Sequence, residues 1–370
     1  MLEGFPHKGS VAIYSRLALL ALATLVGLSS IELGLRVLTE FPVHDRDANR
    51  IPHASLGYVM DPRMGGIDEH GFRNEDPRAA AHWIAIGDSH TYGFNVASRD
   101  SWPQQAARSA DLAVYNMGVG GYGILQYRLL FDQALARGPE AIVLALYLAN
   151  DLSDYCAFAS LPYWQEQLEE RGLRSDRCKP SRSEKQAAWW IKKTAIGSAL
   201  ELLVFEASLP QRFPKRFLWF RYGENETVVL KGKLNKHAKH MNPEAAAFPD
   251  AVGATEHLLG EMIAKSRTAG VAFGVLLVPS KQRALAPHLD GEPADSLRLE
   301  RAVAFESELT ERIAKFLDAR GVSSIDPTDC LRSRSGEKLY PRSKNGHPLS
   351  AGYACYSAAA IRLLGVEAGE

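Results

Sequence analysis

Short apolar runs alternate with longer segments of helical periodicity over much of the chain. Each run ends in turn residues, as buried strands of a parallel sheet do: 82–88, 111–118, 140–148, 271–279 and 322–327. Segments with apolar residues three or four positions apart fall between or after these runs: 125–138, 299–321 and 351–365. The alternation predicts an α/β domain around a parallel sheet. Because ligands bind at the carboxyl ends of such strands, the segments after residues 86, 116 and 148 are candidates for a functional site.

Residues 152–250 interrupt this rhythm with aromatic residues, prolines and basic clusters. We therefore predict an insertion or cap built on the sheet domain. Its tryptophans could form an apolar lid over a site, although packing in a core is the commoner fate of such side chains: Trp164, Trp189, Trp190 and Trp219.

An apolar segment near the amino terminus has the length of a membrane span. Residues 17–31 carry no charge, and apolar character extends over 11–38 with only Arg16, Glu32 and Arg36 as interruptions. Lys8 and Arg16 precede the apolar core, which favours a cytoplasmic amino terminus and an extracytoplasmic carboxy-terminal domain. A cleaved signal peptide and an ordinary buried helix are the rival interpretations, but no A-x-A-like site closes the run.

These features predict a single-pass protein of the cytoplasmic membrane. Residues 1–41 form the cytoplasmic tail and the anchor, and residues 42–370 form the extracytoplasmic, periplasmic domain. The chain has 43 Lys and Arg against 43 Asp and Glu, so no global field gathers nucleic acid, which we exclude as a partner. His237 and His240 lie three apart in a basic stretch, but without a third ligand in view a solvated basic surface is the better interpretation than a metal site.

The four cysteines are Cys156, Cys178, Cys330 and Cys355, and none stands in a C-x-x-C spacing. A structural zinc site is therefore not predicted. In an exported domain Cys156 could pair with Cys178, and Cys330 with Cys355, whereas four buried free thiols are the alternative.

A serine and a histidine at opposite ends of the sheet domain are candidates for nucleophilic catalysis. Gly87-Asp88-Ser89-His90-Thr91 follows the first apolar run, where a turn into a helix can present the serine hydroxyl and direct helix amides at a developing negative charge. A plain helix cap is the alternative. The segment is not a G-x-S-x-G elbow, because Thr91 stands in place of the second glycine. Serine needs a base, and His347 lies in a loop just before the last predicted helix.

Taken in order, four blocks of the sequence resemble the GDSL/SGNH hydrolases, in particular bacterial members that follow one amino-terminal span. The blocks are IAIGDSHTYGFNV (84–96), YNMGVGGYGILQY (115–127), LYLANDL (146–152) and GHPLSAGY (346–353). The segment LGYVMDP…HGFRNED (56–76) also resembles what precedes the nucleophile in these anchored members. The resemblance implies a three-layer α/β/α, flavodoxin-like fold and chemistry that uses neither a metal nor another cofactor.

The same resemblance assigns roles to individual residues. Ser89 matches the nucleophile and His347 the general base. The backbone amides of Ser89 and Gly121 and the side chain of Asn150 match the donors of the oxyanion hole. Asp88 is expected to hold the turn, and His90 to pack or to form a local hydrogen bond.

The chain departs from the family pattern at two places. Leu148 and Ala149 replace glycines before the asparagine, which is kept. The family aspartate two or three residues before the histidine is also missing, and Lys344 and Asn345 stand there. An amide can orient the ring but supplies no countercharge. Three outcomes are open: Asn345 assists the Ser–His pair; another carboxylate reaches the ring; or catalysis is impaired. The candidate carboxylates are Asp326, Asp329 and Glu337.

The sequence thus predicts a serine ester hydrolase, an esterase or deacetylase, acting through a Ser89 acyl-enzyme on O-acyl esters of cell-envelope or exported polysaccharide. An O-acyltransferase with the same residues is an alternative, since residues 276–285, with Lys281, resemble a segment of the alginate O-acetyltransferase group. A lipase for lipid or small esters and a non-catalytic glycan-binding component of an envelope assembly are the others.

Overall fold

The structure is a computed structural model, and it describes residues 8–38, 50–63, 66–74, 82–175, 177, 196, 214–244, 247–290 and 293–365. Its strands are β1 (Arg50–His53), β2 (Gly57–Met60), β3 (Trp83–Gly87), β4 (Val114–Gly118), β5 (Ala141–Leu146), β6 (Phe217–Tyr222), β7 (Asn225–Leu230), β8 (Ala272–Leu277), β9 (Leu289–Asp290) and β10 (Ser324–Ile325). Its helices are α1 (Lys8–Leu38), α2 (Ser89–Tyr92), α3 (Trp102–Ala110), α4 (Ile124–Leu135), α5 (Leu148–Phe158), α6 (Pro162–Glu170), α7 (Lys231–His240), α8 (Phe248–Ala269), α9 (Lys281–Leu285), α10 (Pro293–Asp318), α11 (Thr328–Ser333) and α12 (Ser350–Leu363). Short 3₁₀ turns span Ser98–Asp100, Pro214–Arg216 and Ala286–His288.

A parallel sheet of five strands forms the centre of the domain, in the order β10, β8, β5, β3, β4. Side chains of one strand alternate between two cores: Ile84 and Ile86 face one layer, and Ala85 faces the other. Helices α4 and α8 and the end of α10 cover the first face. Helices α3 and α12 cover the second. The predicted α/β fold with a parallel central sheet is therefore confirmed, with three layers.

Three element boundaries differ from the predictions, each for a local reason. The run 140–148 ends as a strand at Leu146, because the amides of Asn150 and Asp151 bond the Tyr147 carbonyl and begin α5. The run 322–327 gives only the two-residue β10, because Asp326 accepts from the Thr328 amide and opens α11. Helix α10 begins six residues before the predicted position, at a proline that suits the first helical turn.

The apolar segment forms α1, and Arg16–Gly34 within it is long and apolar enough to cross a membrane. None of this stretch is buried against the rest of the described chain. A single apolar helix near the amino terminus fits a membrane anchor or a signal sequence.

The region predicted as an insertion contributes α6, the hairpin β6–β7 and α7. The hairpin pairs with β9, which lies outside 152–250, to give a three-stranded antiparallel sheet. Trp164 is buried in the main core and donates to the Ser55 carbonyl, so it forms no lid. Trp219 is half-buried, and Trp189 and Trp190 lie outside the described residues. The division at residues 41 and 42 and the insertion limits stay predictions.

The three cysteines that the structure describes are disulfide-bonded, so the alternative of four free thiols is wrong. Cys330 of α11 is bonded to Cys355 of α12, with Cα atoms 5.7 Å apart. Cys156 is also disulfide-bonded, and its expected partner, Cys178, lies outside the described residues. The Cys330–Cys355 bond brackets the loop that carries His347 and ties α11, before the loop, to α12, which packs on β8 and β10.

An ion-pair cluster joins α4, α6 and α8 at the edge of the first layer. Glu261 of α8 accepts from Arg171 at 2.8 Å and from Arg128 at 2.7 Å. Burial raises the pKa of Glu261, but the hydrogen bonds from Arg171 and Arg128 outweigh burial and leave the pKa below its usual 4.5. The carboxylate is therefore charged in the folded protein at neutral pH.

Candidate active site

The serine of the first motif block stands at the carboxyl end of a central strand. β3 ends at Gly87, Asp88 caps the next helix by accepting from the His90 amide at 2.8 Å, and Ser89 begins α2. Helix α2 has only four residues, so its dipole is small. The amides of His90, Thr91 and Tyr92 all donate to Asp88, so within the described residues the Ser89 amide is the donor at this turn that can bind an oxyanion.

The turn is held against β4 by contacts that only small residues permit. A Cβ atom at Gly118 would lie 2.3 Å from the Tyr92 nitrogen, so any side chain there would push the nucleophile turn away. Asn116, fully buried on β4, donates to the Thr91 carbonyl at 2.9 Å. Arg73 donates to the carbonyls of Gly93 and Val96 at the end of α2. These bonds satisfy carbonyls that no sheet or helix pairs.

Ser89 and His347, 258 positions apart in sequence, are in hydrogen-bond contact. The distance from Ser89 Oγ to His347 Nε2 is 2.7 Å. His347 is carried by the loop between α11 and α12, and this loop lies against the turn after α2 because the Phe94 ring packs 4.8 Å from the imidazole. A nucleophile and a base at this distance meet the geometric requirement for proton transfer.

The other ring nitrogen of His347, Nδ1, contacts the side-chain amide of Asn345. Asn345 Oδ1 lies 2.6 Å from His347 Nδ1 and also accepts from the His347 backbone amide at 3.0 Å. An oxygen facing Nδ1 favours the tautomer with hydrogen on Nδ1, which leaves Nε2 as the acceptor for the serine hydroxyl. Of the three outcomes left open by the sequence, the first agrees with this contact.

The other carboxylates considered are occupied elsewhere or turned outward. Asp326 pairs with Arg283 at 2.6 Å, Glu337 pairs with Arg334 at 2.6 Å, and Asp329 is exposed. The contact at Nδ1 is made by Asn345.

A second asparagine sets which way the Asn345 amide points. Asn345 Nδ2 donates to Asn95 Oδ1 at 2.7 Å, and Asn95 Nδ2 donates to the His347 carbonyl at 3.0 Å. If Asn345 were flipped, its oxygen would face the oxygen of Asn95, so the chain of bonds keeps Oδ1 towards the imidazole. Asn95 has φ of 73°, a left-handed conformation that asparagine tolerates better than most residues.

A buried lysine, Lys281, holds the loop that carries His347. Lys281 is 1% exposed, and its Nζ donates to the carbonyls of Ser343 and Asn345, both at 2.8 Å, and to Thr227 Oγ1 at 3.0 Å. Thr227 belongs to β7, so the small antiparallel sheet takes part in holding this loop. Three contacts match the three donors of an ammonium group.

His90 packs behind the pair. Its ring centroid lies 4.7 Å from that of His347 and 4.3 Å from that of Tyr147, and it is 1% exposed. Burial, followed by the charge of His347, holds the pKa of His90 well below its usual 6.5. A neutral His90 adds no repulsion to a protonated His347, as expected for a packing residue.

Asp88 and Asn150 approach the serine from the other side. Asp88 Oδ2 lies 3.3 Å from Ser89 Oγ and 3.3 Å from Asn150 Nδ2. The bond to Asp88 orients the Asn150 side chain. Asn150 lies in the first turn of α5, and Leu148 and Ala149 before it are buried without displacing it.

Next to Asn150, Asp151 is fully buried and accepts from the Tyr127 hydroxyl at 3.0 Å. Burial, then the charges of Asp88 and Asp154, raise the pKa of Asp151 well above its usual 3.8. This environment favours the protonated form of Asp151, which would add no negative charge beside Asp88.

The last of the five predicted site residues, Gly121, lies in the turn after β4 with φ of 80°. This turn stays close to the nucleophile because the Val119 amide bonds the Gly87 carbonyl at 3.1 Å. The carbonyl of the preceding Gly120 is bonded by Tyr58 and Arg50 from the β1–β2 hairpin. Ser89, Gly121, Asn150, His347 and Asn345 therefore all lie at the carboxyl end of the sheet.

The sequence alone assigns no role to Asn95, Asn116 or Arg73. Each acts on a backbone carbonyl or an amide far away in sequence, and only the likeness of HGFRNED to anchored relatives pointed to Arg73. Among the residues that the structure describes, no three His, Cys, Asp or Glu side chains come together as ligands for a metal.

No family model matches the chain, and no curated protein matches it in sequence. Solved structures do match. A member of the lipolytic G-D-S-L family from Veillonella parvula is 12% identical, with 76% of this chain and 96% of that one covered and a TM-score of 0.36. An extracellular lipase from Streptomyces rimosus is 12% identical, with coverages of 76% and 98% and a TM-score of 0.42. An acetylxylan esterase from Geobacillus stearothermophilus is 11% identical, with coverages of 78% and 95% and a TM-score of 0.38.

At these identities and TM-scores the likeness carries no argument about the reaction, which rests on the residues of this chain. The chain is similar to the GDSL-type lipolytic hydrolases and esterases.

Proposed function

We propose that the protein is a serine ester hydrolase in which Ser89 attacks the ester carbonyl and His347 is the general base. The observation that carries the proposal is the 2.7 Å contact between Ser89 Oγ and His347 Nε2, with Nδ1 held by Asn345 Oδ1 at 2.6 Å. A serine hydroxyl is a weak nucleophile on its own. A neutral imidazole whose Nε2 carries no hydrogen can accept the hydroxyl proton and so make the serine oxygen a stronger nucleophile.

In the first half of the reaction, His347 takes the Ser89 proton while Oγ bonds the carbonyl carbon. The negative charge that develops on the carbonyl oxygen is bound by the amides of Ser89 and Gly121 and by the Asn150 side chain. As the tetrahedral intermediate collapses, His347 gives its proton to the leaving alcohol, and the acyl group stays on Ser89. Water, activated by His347, then releases the acid and returns the proton to Ser89.

The amide at Asn345 changes the energetics of this cycle. Its oxygen accepts a hydrogen bond from Nδ1–H and so fixes the ring. It supplies no negative charge to stabilise the imidazolium that forms in both halves of the reaction. We therefore propose Asn345 as the positioning residue of a working but slow Ser–His pair.

For the substrate, we propose O-acyl esters of cell-envelope or exported polysaccharide, with the domain held outside the cytoplasmic membrane by α1. The apolar helix supports the anchor, and the disulfide-bonded state of Cys156, Cys330 and Cys355 supports an oxidising compartment. Transfer of the acyl group to a sugar hydroxyl instead of water would use the same residues.

The first test is labelling of the full chain in detergent by a fluorophosphonate probe. We expect labelling of the wild type, loss of labelling in Ser89→Ala and His347→Ala, and retained labelling in Ser350→Ala, an exposed serine outside the site. Labelling that persists in Ser89→Ala would refute the assignment of the nucleophile. A folded wild type, checked by circular dichroism, that never labels would refute the hydrolase proposal.

The substrate class is tested separately by acetate release from acetylated polysaccharides and by hydrolysis of p-nitrophenyl esters of increasing chain length. We expect acetyl esters on sugars to be the better substrates. A preference for long acyl chains would instead support a lipase, and product acetylated on an added sugar acceptor would support a transferase.

A further inference from the structure

The hairpin β1–β2 meets the proposed oxyanion hole at one carbonyl, that of Gly120. The Tyr58 hydroxyl donates to Gly120 O at 2.6 Å, and Arg50 Nη2 donates to the same oxygen at 3.1 Å. This carbonyl belongs to the peptide unit whose N–H is the amide of Gly121. In a planar trans peptide the C=O and the N–H point in opposite directions, so a bond that fixes one fixes the other.

From this geometry we infer that Tyr58 and Arg50 are positioning residues for the oxyanion hole: they hold the Gly120–Gly121 peptide so that the Gly121 amide faces the reacting carbonyl. The inference rests on the proposed function, in which that amide binds the oxyanion. Within the described residues, no carbonyl or side chain accepts a hydrogen bond from the Gly121 amide.

The Gly120–Gly121 peptide needs these hydrogen bonds to fix its orientation because it joins two glycines. Neither residue has a Cβ atom that would restrict its dihedral angles, and Gly121 already has φ of 80°. Rotation of the peptide unit would therefore meet little local resistance. A rotated peptide would remove one donor and turn the Gly120 oxygen, a negative dipole end, towards the forming oxyanion.

The two side chains are themselves fixed. The Arg50 guanidinium lies over the Tyr58 ring at 4.0 Å from its centroid. The rings of Tyr122 and Phe158 pack against Tyr58 at 5.4 Å and 6.1 Å. The Tyr122 hydroxyl also donates to the Tyr58 backbone carbonyl. The ring is thus held by contacts that do not involve its own hydroxyl.

A single atom can therefore be removed without removing the packing. In Tyr58→Phe the ring keeps its three neighbours, and the bond from the hydroxyl to Gly120 O is lost. The matched control is Tyr163→Phe, on a tyrosine that packs against the same core but makes no contact with Gly120.

We expect Tyr58→Phe to lower kcat for p-nitrophenyl acetate by about 10- to 100-fold, since removal of one oxyanion donor costs on the order of 10²- to 10³-fold. KM should change by less than about threefold, because the ground-state ester makes little use of the hole. Fluorophosphonate labelling should slow by a similar factor, while Tyr163→Phe should match the wild type. A Tyr58→Phe variant with wild-type kcat would overturn the inference.

A crystal structure of Tyr58→Phe separates this inference from the proposed function. A Gly120–Gly121 peptide that is rotated or present in two orientations supports the hold by Tyr58, even if the wild type hydrolyses no ester and the hydrolase proposal fails. An unchanged single orientation in the variant overturns the inference, whether or not the wild type is active.

Discussion

The amide at position 345 makes one substitution especially informative, Asn345→Asp. It restores a carboxylate next to the imidazole with no change in side-chain length. Asn345 Oδ1 is already 2.6 Å from His347 Nδ1, so the new charge would lie in direct contact with the imidazolium. Lys281 Nζ bonds the backbone carbonyl of residue 345 at 2.8 Å and would favour the ionised form of the new carboxyl group.

The expected gain follows from two opposing contributions. Unit charges about 4 Å apart attract by about 4 kcal/mol at the effective dielectric constant of sites near a protein surface. Against this, the bond from Asn345 Nδ2 to Asn95 Oδ1 becomes a contact between two oxygens, and rotation of the Asn95 amide to relieve it gives up the bond to the His347 carbonyl. The lost bond costs about 1 kcal/mol, and desolvation of the carboxylate costs about 1 to 2 kcal/mol more. The net gain is about 1 to 2 kcal/mol in transition-state stabilisation.

A gain of this size corresponds to a rise in kcat/KM of about 5- to 30-fold. The assay is initial-rate hydrolysis of p-nitrophenyl acetate by wild type and Asn345→Asp between pH 5 and pH 9. A neighbouring carboxylate favours the protonated ring, so the acid limb of the pH–rate profile should also move to higher pH. A folded variant with unchanged or lower kcat/KM and an unmoved acid limb would refute the reasoning.

Asn95→Ala is the control that tests the amide network itself. In the wild type it removes the bond that keeps Asn345 Oδ1 towards the ring, and we expect kcat/KM to fall by about 5- to 10-fold. A carboxylate has two equivalent oxygens and needs no such partner, so the same change in the Asn345→Asp background should cost less. Equal losses in the two backgrounds would show that Asn95 does not act through the orientation of Asn345.

Three further predictions concern the framework of the site. Lys281→Met leaves two loop carbonyls without their donor, so the free energy of unfolding should fall by about 3 kcal/mol in denaturant titrations and kcat should fall with it; a variant as stable as the wild type would contradict this. Cys330→Ser with Cys355→Ser opens a loop with a sequence separation of 25 and should lower that free energy by about 3 kcal/mol; an unchanged midpoint of unfolding would contradict it. Because the pKa of Glu261 lies below its usual 4.5, the ionised carboxylate stabilises the fold above that pH, and this stabilisation is lost as pH falls through the lower folded pKa. Glu261→Gln should therefore be less stable than wild type by about 1 kcal/mol at pH 7, with the difference vanishing in acid, whereas a difference that is independent of pH would contradict the argument.

The pattern of apolar residues predicted the sheet because each central strand is buried on both faces. Ile84 and Ile86 enter one core and Ala85 the other, so the whole run reads as apolar. The hairpin β1–β2 was not predicted, since it is short and partly exposed and its importance lies in two side chains, those of Arg50 and Tyr58. Such contacts depend on where distant loops meet, which apolar periodicity does not encode.

The same distinction holds within the site. The contact between Ser89 and His347, whose catalytic roles are proposed, could be anticipated because each stands in a motif block whose order along the chain is specific. The role of Asn95 could not be anticipated, because it comes from contacts with Asn345 and His347, which lie 250 and 252 positions away. The missing aspartate was visible in the sequence, but the orientation of the amide that replaces it required the structure, because both orientations of a side-chain amide have the same shape.

Three irregular segments of the candidate site each have at least one backbone carbonyl bonded by a cationic side chain. Arg73 bonds the turn after Ser89, Arg50 the peptide before Gly121, and Lys281 the loop before His347. Carbonyls in such turns lack partners in a helix or sheet, so cations can satisfy them and fix the loops at once. Positive charge placed around a site favours a developing oxyanion and disfavours an imidazolium, and the amide of Asn345 does not offset this. The protonation of His347, rather than binding of the oxyanion, should then limit the rate, which is why a negative charge at position 345 is expected to raise turnover.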